Sequence, residues 1–394
     1  MKVRLLKAED IVQAKALANY AFDEKSFADW FFDSYVKPEQ LIGSFEADGS
    51  LKCMLCIAPY ELQLTGKNLH SEYITTVTTA ADARGKGYFR PLLKYTFEHL
   101  RSLGRPVAIL KAIESKLYTP FGFAFCYNHL RYSMPLRELA YFQRYYDLQL
   151  VSITDPAQAA PLLSKLYSTS RSHNGMSVRT EQNWSNLLQI HTSEGGHIML
   201  AMRGETVLGY MLYYVRNNTF EIFEMITTGQ DVQDSFLNVA YQHRTQVKEF
   251  FWRTFADNTA YLDMNISQYA DSFYPQLAPF MMVRVLDVLA LLNGIITDVQ
   301  SDTDCVCLKV VDEFIEQNNL QLDVCIHSGK LSAKHSERAA DLTVDVGALA
   351  QLVFGAYSID ELLHMRKLTV HNSVCLETLR LMFPKRTNYI NEEF

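Results

Sequence analysis

Arg84-Gly85-Lys86-Gly87-Tyr88-Phe89-Arg90 packs two glycines and three cations into seven residues. Glycines let successive backbone N–H groups turn toward one point, and a helix N-terminus adds more unpaired N–H groups. Such a loop suits a diphosphate. A Rossmann fingerprint needs a third glycine where Arg90 stands, and a P-loop needs Lys-Ser/Thr where Tyr88 follows Gly87. The short pattern alone fits a plain glycine turn on a cationic surface as well as a coenzyme site. Its flanks favour the coenzyme. Tyr73-Ile74-Thr75-Thr76-Val77-Thr78-Thr79 is β-branched and aromatic and reads as a strand. Phe89, Leu92, Leu93, Phe97, Leu100 and Leu103 then recur at helical spacing until Gly104, with Pro91 tolerated in the first turn.

What remains is Arg-x-x-Gly-x-(Gly/Ala), and the loop resembles the pyrophosphate signature of the GNAT superfamily of acyl-CoA N-acyltransferases. Arg84 and Gly87 match it; Phe89 stands where a small residue is usual, so the match is partial. After a second strand, Pro106-Val107-Ala108-Ile109-Leu110, comes Tyr118-Thr119-Pro120-Phe121-Gly122-Phe123. This is similar to the GNAT segment that holds the general acid. The chain closes on Asn391-Glu392-Glu393-Phe394 without a long polar tail. With its length and three-part layout, it resembles the Eis (enhanced intracellular survival) family of multi-acetylating aminoglycoside N-acetyltransferases.

The resemblance implies acetyl-CoA as co-substrate and primary amines of polycationic small molecules, aminoglycosides among them, as acceptors. It implies a direct ternary-complex transfer, a homohexamer, and no metal. The family's roles fall on Val77, Thr78 and Thr79 along the pantetheine, on Arg84 to Arg90 (Gly85, Lys86, Gly87, Tyr88 and Phe89 included) at the pyrophosphate, and on Ile113 and Glu114 as further coenzyme contacts. Tyr118 becomes the general acid and the terminal carboxylate of Phe394 the base. Asp23, Glu24, Trp30 and Glu393 are candidates for the amine-binding wall, although Asp23 and Glu24 fit a solvated helix end equally well.

The chemistry is coherent on its own terms. Acetyl transfer to an amine needs the thioester held, its carbonyl polarised, the amine deprotonated and the departing thiolate protonated. A phenol of ordinary pKa about 10 can hydrogen-bond and protonate a thiolate whose conjugate acid lies near about 8.5. Tyr118 also fits a packing role beside Phe121 and Phe123, and Val77 to Thr79 fit ordinary ladder pairing. Phe394 competes with the frayed terminus that most chains have. His99 and His129 fall within expected core elements, and no Cys-His or Ser-His-Asp set stands near the motifs. Two rival readings stay open: a protein or peptide lysine acetyltransferase on the same fold, and a non-catalytic acyl-CoA or lipid-binding protein.

The 394 residues imply two or three domains, and 48% hydrophobic with 21% charged residues is ordinary for a globular chain. A net charge of −7 argues against non-specific nucleic-acid binding. The N-terminus lacks a signal-peptide core, and Arg284, Asp287 and Asn293 interrupt the longest apolar stretch. With seven cysteines, an odd number, the expectation is a reduced cytoplasmic protein, not membrane-bound. Cys53-Met54-Leu55-Cys56 has half of a zinc spacing but sits in a strand with no second pair. Cys305 and Cys307 alternate in another strand and read as core.

The fold class expected is α/β (α+β): tandem GNAT folds, the second degenerate, then a sterol-carrier-protein-like domain. Residues 1–147 form the catalytic domain, with a helix through Ala21, a hairpin from Leu41 to Leu62, and strand, helix, strand, helix, strand after it. Residues 148–280 repeat the plan with a hairpin at His197 to Val215 and a strand from Thr219 to Ile226. There Thr227-Thr228-Gly229-Gln230-Asp231 replaces the Arg-x-x-Gly loop, so this copy is expected not to bind acetyl-CoA. Residues 281–394 are expected to scaffold and to deliver the C-terminus.

Overall fold

The structure is a computed structural model that describes residues 1–22, 31–32, 36–169, 173–264 and 274–392. The first strand, β1 (Lys2–Leu5), leads into helix α1 (Ile11–Ala21), which buries Ala14, Leu17 and Ala18. Strands β2 (Leu41–Phe45), β3 (Leu51–Leu64) and β4 (Lys67–Thr79) follow as an antiparallel run. The β3–β4 link is two residues long, and Thr65 and Gly66 both have positive φ (48° and 79°). That geometry matches the right-handed twist of a hairpin. Helix α2 (Phe89–Ser102) buries Leu92, Leu93, Thr96, Phe97 and Leu100 as one stripe and stops at Gly104, φ 71°.

Strand β5 (Val107–Leu110) runs parallel to β4. The helix expected next is not there. Residues 115–121 form two 3-10 turns, Ser115–Leu117 and Thr119–Phe121, because Pro120 and the left-handed Gly122 (φ 80°) stop a longer helix. Strand β6 (Ala124–Phe125) closes this run.

A second compact unit comprises Tyr127–Phe280 and Thr387–Asn391. Its elements are β7 (Asn128–Pro135), β8 (Gln149–Ile153), α3 (Pro156–Thr169), β9 (Met176–Ser177), α4 (Glu181–Ser193), β10 (His197–Arg203), β11 (Thr206–Arg216), β12 (Thr219–Thr227), α5 (Gln230–Gln242), β13 (Glu249–Phe255) and β14 (Gln276–Pro279). The sheet order is β14-β7-β13-β12-β11-β10-β8. Its two faces bury separate cores, one around Trp252, Phe236 and Phe220, the other around Trp184, Tyr210 and Leu188. The tail of the chain is tied into this unit. The Tyr389 ring lies 4.2 Å from that of Phe255, His129 Nε2 donates to the Ile390 carbonyl (2.8 Å), and Asn391 Nδ2 donates to the Phe223 carbonyl (2.8 Å).

The chain then returns to the first sheet. Strand β15 (Met282–Val285) pairs with β5 and β6, giving the order β1-β2-β3-β4-β5-β15-β6. Asp287 caps α6 (Val288–Leu292) by accepting from Ala290 N (2.9 Å). A five-stranded sheet follows, β18-β17-β16-β19-β20, from β16 (Val306–Val311), β17 (Leu320–His327), β18 (Lys330–His335), β19 (Leu342–Asp345) and β20 (Leu368–Val370). Helices α7 (Val346–Val353), α8 (Ile359–His364) and α9 (Cys375–Met382) complete the chain's third part. Sheet membership therefore crosses chain order at two places. Asn128–Pro135 lies in the second sheet, and Met282–Val285 lies in the first.

Candidate active site

The bend in β4 builds the site. Cys56 pairs with Thr75 and Met54 with Thr78, so Leu55 faces two residues, Thr76 and Val77. Thr76 carries the extra residue at φ 50°, a left-handed conformation that a β-branched side chain resists. On the other edge, pairing with β5 stops at Tyr73↔Ile109. The two parallel strands then part. Ala80 N–H donates back to Lys52 O on β3 (2.8 Å), so by strand alternation the N–H groups of Val77 and Thr79 face the edge that β5 has left. Thr78 Oγ1 turns to the Thr76 carbonyl (3.2 Å), and Thr79 Oγ1 meets Cys53 Sγ at 3.1 Å.

The glycine loop stands at the end of this opening. Gly85 (φ 72°) and Gly87 (φ 84°) are both left-handed, and a Cβ added to either would meet nothing within 4 Å. Among the described residues, the amides of Gly85, Gly87 and Tyr88 have no backbone acceptor, whereas Lys86 N–H is spent on Ala83 O (3.2 Å). The first N–H groups of α2 continue the cradle, since a helix start leaves them unpaired. Tyr88 anchors the loop to β2: its hydroxyl donates to Glu46 Oε1 at 2.5 Å, and its carbonyl accepts from Ser44 Oγ at 3.3 Å. The Arg84 guanidinium lies 6.0 Å from the Tyr20 ring centroid, and Arg90 lies 5.1 Å from that of Phe314. The cradle fits a diphosphate through amides and nearby cations.

Phe89 has a structural reason for replacing the usual small residue. Its ring meets those of Tyr118 (5.8 Å) and Phe121 (5.5 Å) edge to face, joining the start of α2 to the turn that carries Tyr118. Tyr118 is nearly buried, among Phe89, Phe123 and the Cys53 thiol, and its hydroxyl has no hydrogen-bond partner among the described residues. Burial pushes this phenol up to about 12, with Cys53 adding to the effect. It stays protonated through the neutral range and is a donor. The same burial pushes the Cys53 thiol up to about 11.

The Tyr118 turn is held from below. Arg284 on β15 is fully buried, its Nη2 donating to both carboxylate oxygens of Asp312 (2.8 and 2.7 Å). Asp312 also accepts from the amides of Phe314 and Ile315 and from Asn318 Nδ2. The guanidinium sits against Gly122, where an added Cβ would come within 2.7 Å of Nη1.

Ile113 is 95% exposed, and Glu114 caps the next turn by accepting from Lys116 N (3.3 Å). Asp23, Glu24, Trp30, Glu393 and Phe394 lie outside the described residues. His129 is buried and His99 half-buried. Cys56 is buried within β3.

Sequence reading missed Thr76, Ser44, Glu46 and Cys53 as supports of the site. It also missed an open groove of about 510 Å³ lined by Gln13, Leu17, Tyr20, Leu51, Ala81 and Asp82. No motif marks these residues. The structure shows Tyr20 as an aromatic residue on the exposed side of α1, 60% exposed.

In the second unit, the same bulge and parting recur. Leu212 pairs with Glu224 and Tyr213 with Ile222, leaving Phe223 extra, and β12–β13 pairing stops at Ile222↔Trp252. The loop is different. Gly229 is extended at φ −162°, and Asp231 is held by Arg203 Nη2 at 2.9 Å. A carboxylate occupies the neighbourhood where the first copy offers amides.

Comparison with known proteins agrees with this duplication. Residues 2–126 and 175–285 each match an acetyltransferase (GNAT) domain, and residues 289–391 match a sterol carrier protein domain. An uncharacterized N-acetyltransferase of Streptomyces coelicolor is 26% identical over 96 residues, and the match spans 23% of each chain, about a quarter of that relative's length. Among solved structures, a probable N-acyltransferase from Enterococcus faecalis superposes at TM-score 0.87 (17% identity, 100% of this chain and 99% of that one). A GCN5-related N-acetyltransferase from Anabaena variabilis gives 0.85 (17% identity, 100% of both chains). Eis1 from Mycobacterium abscessus gives 0.77 (15% identity, 100% of both chains). The chain therefore carries two GNAT acetyltransferase domains in tandem followed by a sterol carrier protein domain, and its full-length fold matches the architecture of Eis1.

Proposed function

We propose that the chain transfers an acetyl group from acetyl-CoA to primary amines of polycationic small molecules, aminoglycosides among them, directly within a ternary complex. The observation that carries this is the parted edge of β4 ending on the open glycine cradle, with the unpartnered Tyr118 phenol beside it. Acetyl-CoA supplies the activated acyl group. Val77 and Thr79 N–H groups take up the pantetheine as an added strand would, and polarise the thioester carbonyl. Gly85, Gly87 and Tyr88 amides, with Arg84, Lys86 and Arg90, bind the pyrophosphate, and Ile113 and Glu114 flank the coenzyme arm. Tyr118 donates its proton at Oη to the leaving sulfur. Its raised pKa keeps that proton in place at neutral pH until negative charge develops on the departing sulfur.

The base in this reading is the terminal carboxylate of Phe394, with Glu393, Asp23, Glu24 and Trp30 shaping the amine site. The anchored tail up to Asn391 supports it, since the chain end is not left to fray before that point. A homohexamer in the cytoplasm accompanies this reading. No helix among the described residues is long and apolar enough to cross a membrane.

Tyr118→Phe tests the assignment. Turnover in a thiol-release assay with an aminoglycoside should fall by about 10²–10⁴, with acetyl-CoA affinity nearly unchanged. Wild-type turnover in the variant would return Tyr118 to a packing role.

A further inference from the structure

The second GNAT copy has lost its pyrophosphate loop but kept the cleft that the parting of β12 and β13 opens. That cleft is a cavity of about 150 Å³ lined by Met225, Ile226, Gln233, Trp252, Thr254 and Phe255, with His173 and Asn258 at its edges. Trp252 and Thr254 are two apart on β13 and so share a face, and each is 1% exposed. Among the described residues, neither Trp252 Nε1 nor Thr254 Oγ1 has a hydrogen-bond partner. Two orphaned polar atoms in one buried wall are uncommon, since buried donors are nearly always satisfied.

Apart from Thr227, the other polar groups of the wall are already engaged. Tyr132 donates to Asn258 Oδ1 (2.8 Å), and Asn258 Nδ2 donates to Gln233 Oε1 (3.0 Å). This relay fixes Gln233 with its amide nitrogen outward, where its contact to Gln230 is a long 3.4 Å. His173 is held by Asp257 at 2.9 Å and stacked on Phe255 at 4.0 Å. What the wall still offers is the indole N–H, which can only donate, and the hydroxyls of Thr254 and Thr227. Met225, Ile226 and Phe255 supply apolar surface beside them.

Charge selects among acceptors. Asp234 follows Gln233 directly on α5, with Asp231 and Asp263 near enough to act on it, and Asp257 holds His173. The Asp234 carboxyl is raised by burial, with Asp263 and Asp231 adding repulsion. An anion is disfavoured there.

We infer that this cleft binds a small uncharged carbonyl compound, an amide with a short alkyl part, with its oxygen on Trp252 Nε1 and Thr254 Oγ1. The volume holds about five waters' worth of liquid at about 30 Å³ each, which limits the ligand to a short chain. The cleft lies within the second unit, and this inference does not depend on the acetyl-transfer assignment.

Indole ¹⁵N–¹H spectroscopy on the full chain tests it. The chain has three tryptophans, Trp30, Trp184 and Trp252, and Trp252→Phe identifies the third resonance. N-methylacetamide should move the Trp252 signal saturably at millimolar concentration and leave the other two in place. Thr254→Val, which keeps shape and removes only an unpartnered hydroxyl, should weaken binding about tenfold while leaving the melting temperature unchanged. Propylamine should have no effect, and butyrate should bind more weakly than the amide.

No saturable shift by about 100 mM amide would mean ordered water only and would overturn the proposal. An equal response to propylamine would overturn it too, since no carbonyl would be needed. Tighter butyrate binding would overturn the uncharged class.

Discussion

Gly87→Asp separates the coenzyme cradle from a plain surface turn, and the structure allows its cost to be divided. Gly87 sits at φ 84° with nothing within 4 Å of where a Cβ would stand, so the new side chain meets open space. The folding cost is then mostly conformational, about 1 kcal/mol, because aspartate is among the residues that tolerate the left-handed region. Binding is another matter. The carboxylate would stand among the amides of Gly85, Gly87 and Tyr88, which have no backbone acceptor among the described residues. It would accept their hydrogen bonds itself and repel a diphosphate. Losing one charge-assisted hydrogen bond and adding like-charge repulsion costs roughly 2–5 kcal/mol, or about 30- to 5,000-fold in affinity. Gly87→Ala is the control: it carries similar backbone strain without the charge and should bind acetyl-CoA within a few-fold of wild type. Titration calorimetry on folded variants decides. Unchanged affinity in Gly87→Asp would refute the cradle.

Three further outcomes are expected. Gly122→Ala places a Cβ 2.7 Å from Arg284 Nη1 and 2.8 Å from Val346 Cγ1 at φ 80°. Strain plus overpacking should cost about 2–4 kcal/mol in thermal unfolding. Gly85→Ala, open at φ 72°, should cost only about 1. His191 is buried, and desolvation takes its imidazole down to about 4. The unfolded chain therefore binds the proton first. Stability is full above about pH 6.5, falls by about 3 kcal/mol as pH drops to about 4, and levels below that. His191→Gln should flatten that slope in urea unfolding, and an unchanged slope would remove His191 as its source. Finally, a few neutral residues fused after Phe394 should abolish most amine acetylation while acetyl-CoA binding and melting stay near normal. Full activity in an intact extended chain would leave the base unassigned.

The strand–loop–helix of the first domain was legible because three independent signals coincide there: a β-branched run, two glycines, and apolar residues at helical spacing. Gly66 in the β3–β4 turn and Asp287 ahead of α6 are local signals of the same kind. The bulge was not. Thr76 looks like every other threonine in Thr75-Thr76-Val77-Thr78-Thr79, and its positive φ is set by the register that β3 imposes from about twenty residues away. Phe89 looked like a flaw in a motif until Tyr118 and Phe121 came to lie against it. The exchange of strands between sheets was also hidden, since Met282–Val285 carries the same apolar pattern whichever sheet receives it.

The two GNAT copies make the division of labour physical. Both bulge the strand before the loop, and both part it from the next parallel strand after three or four paired residues. Backbone geometry alone thus opens a cleft twice. Only the first copy follows with left-handed glycines and free amides; the second places Asp231 there and pairs it with Arg203. A carboxylate already satisfied by an arginine neither attracts a diphosphate nor leaves the cation free to do so. The parting of strands is therefore a property of the fold, and on the proposed reading affinity for the coenzyme is a property of about five residues placed at its end. Restoring glycines in the second loop without removing Asp231 would leave that charge in place, and the copy is expected to gain no affinity for the coenzyme.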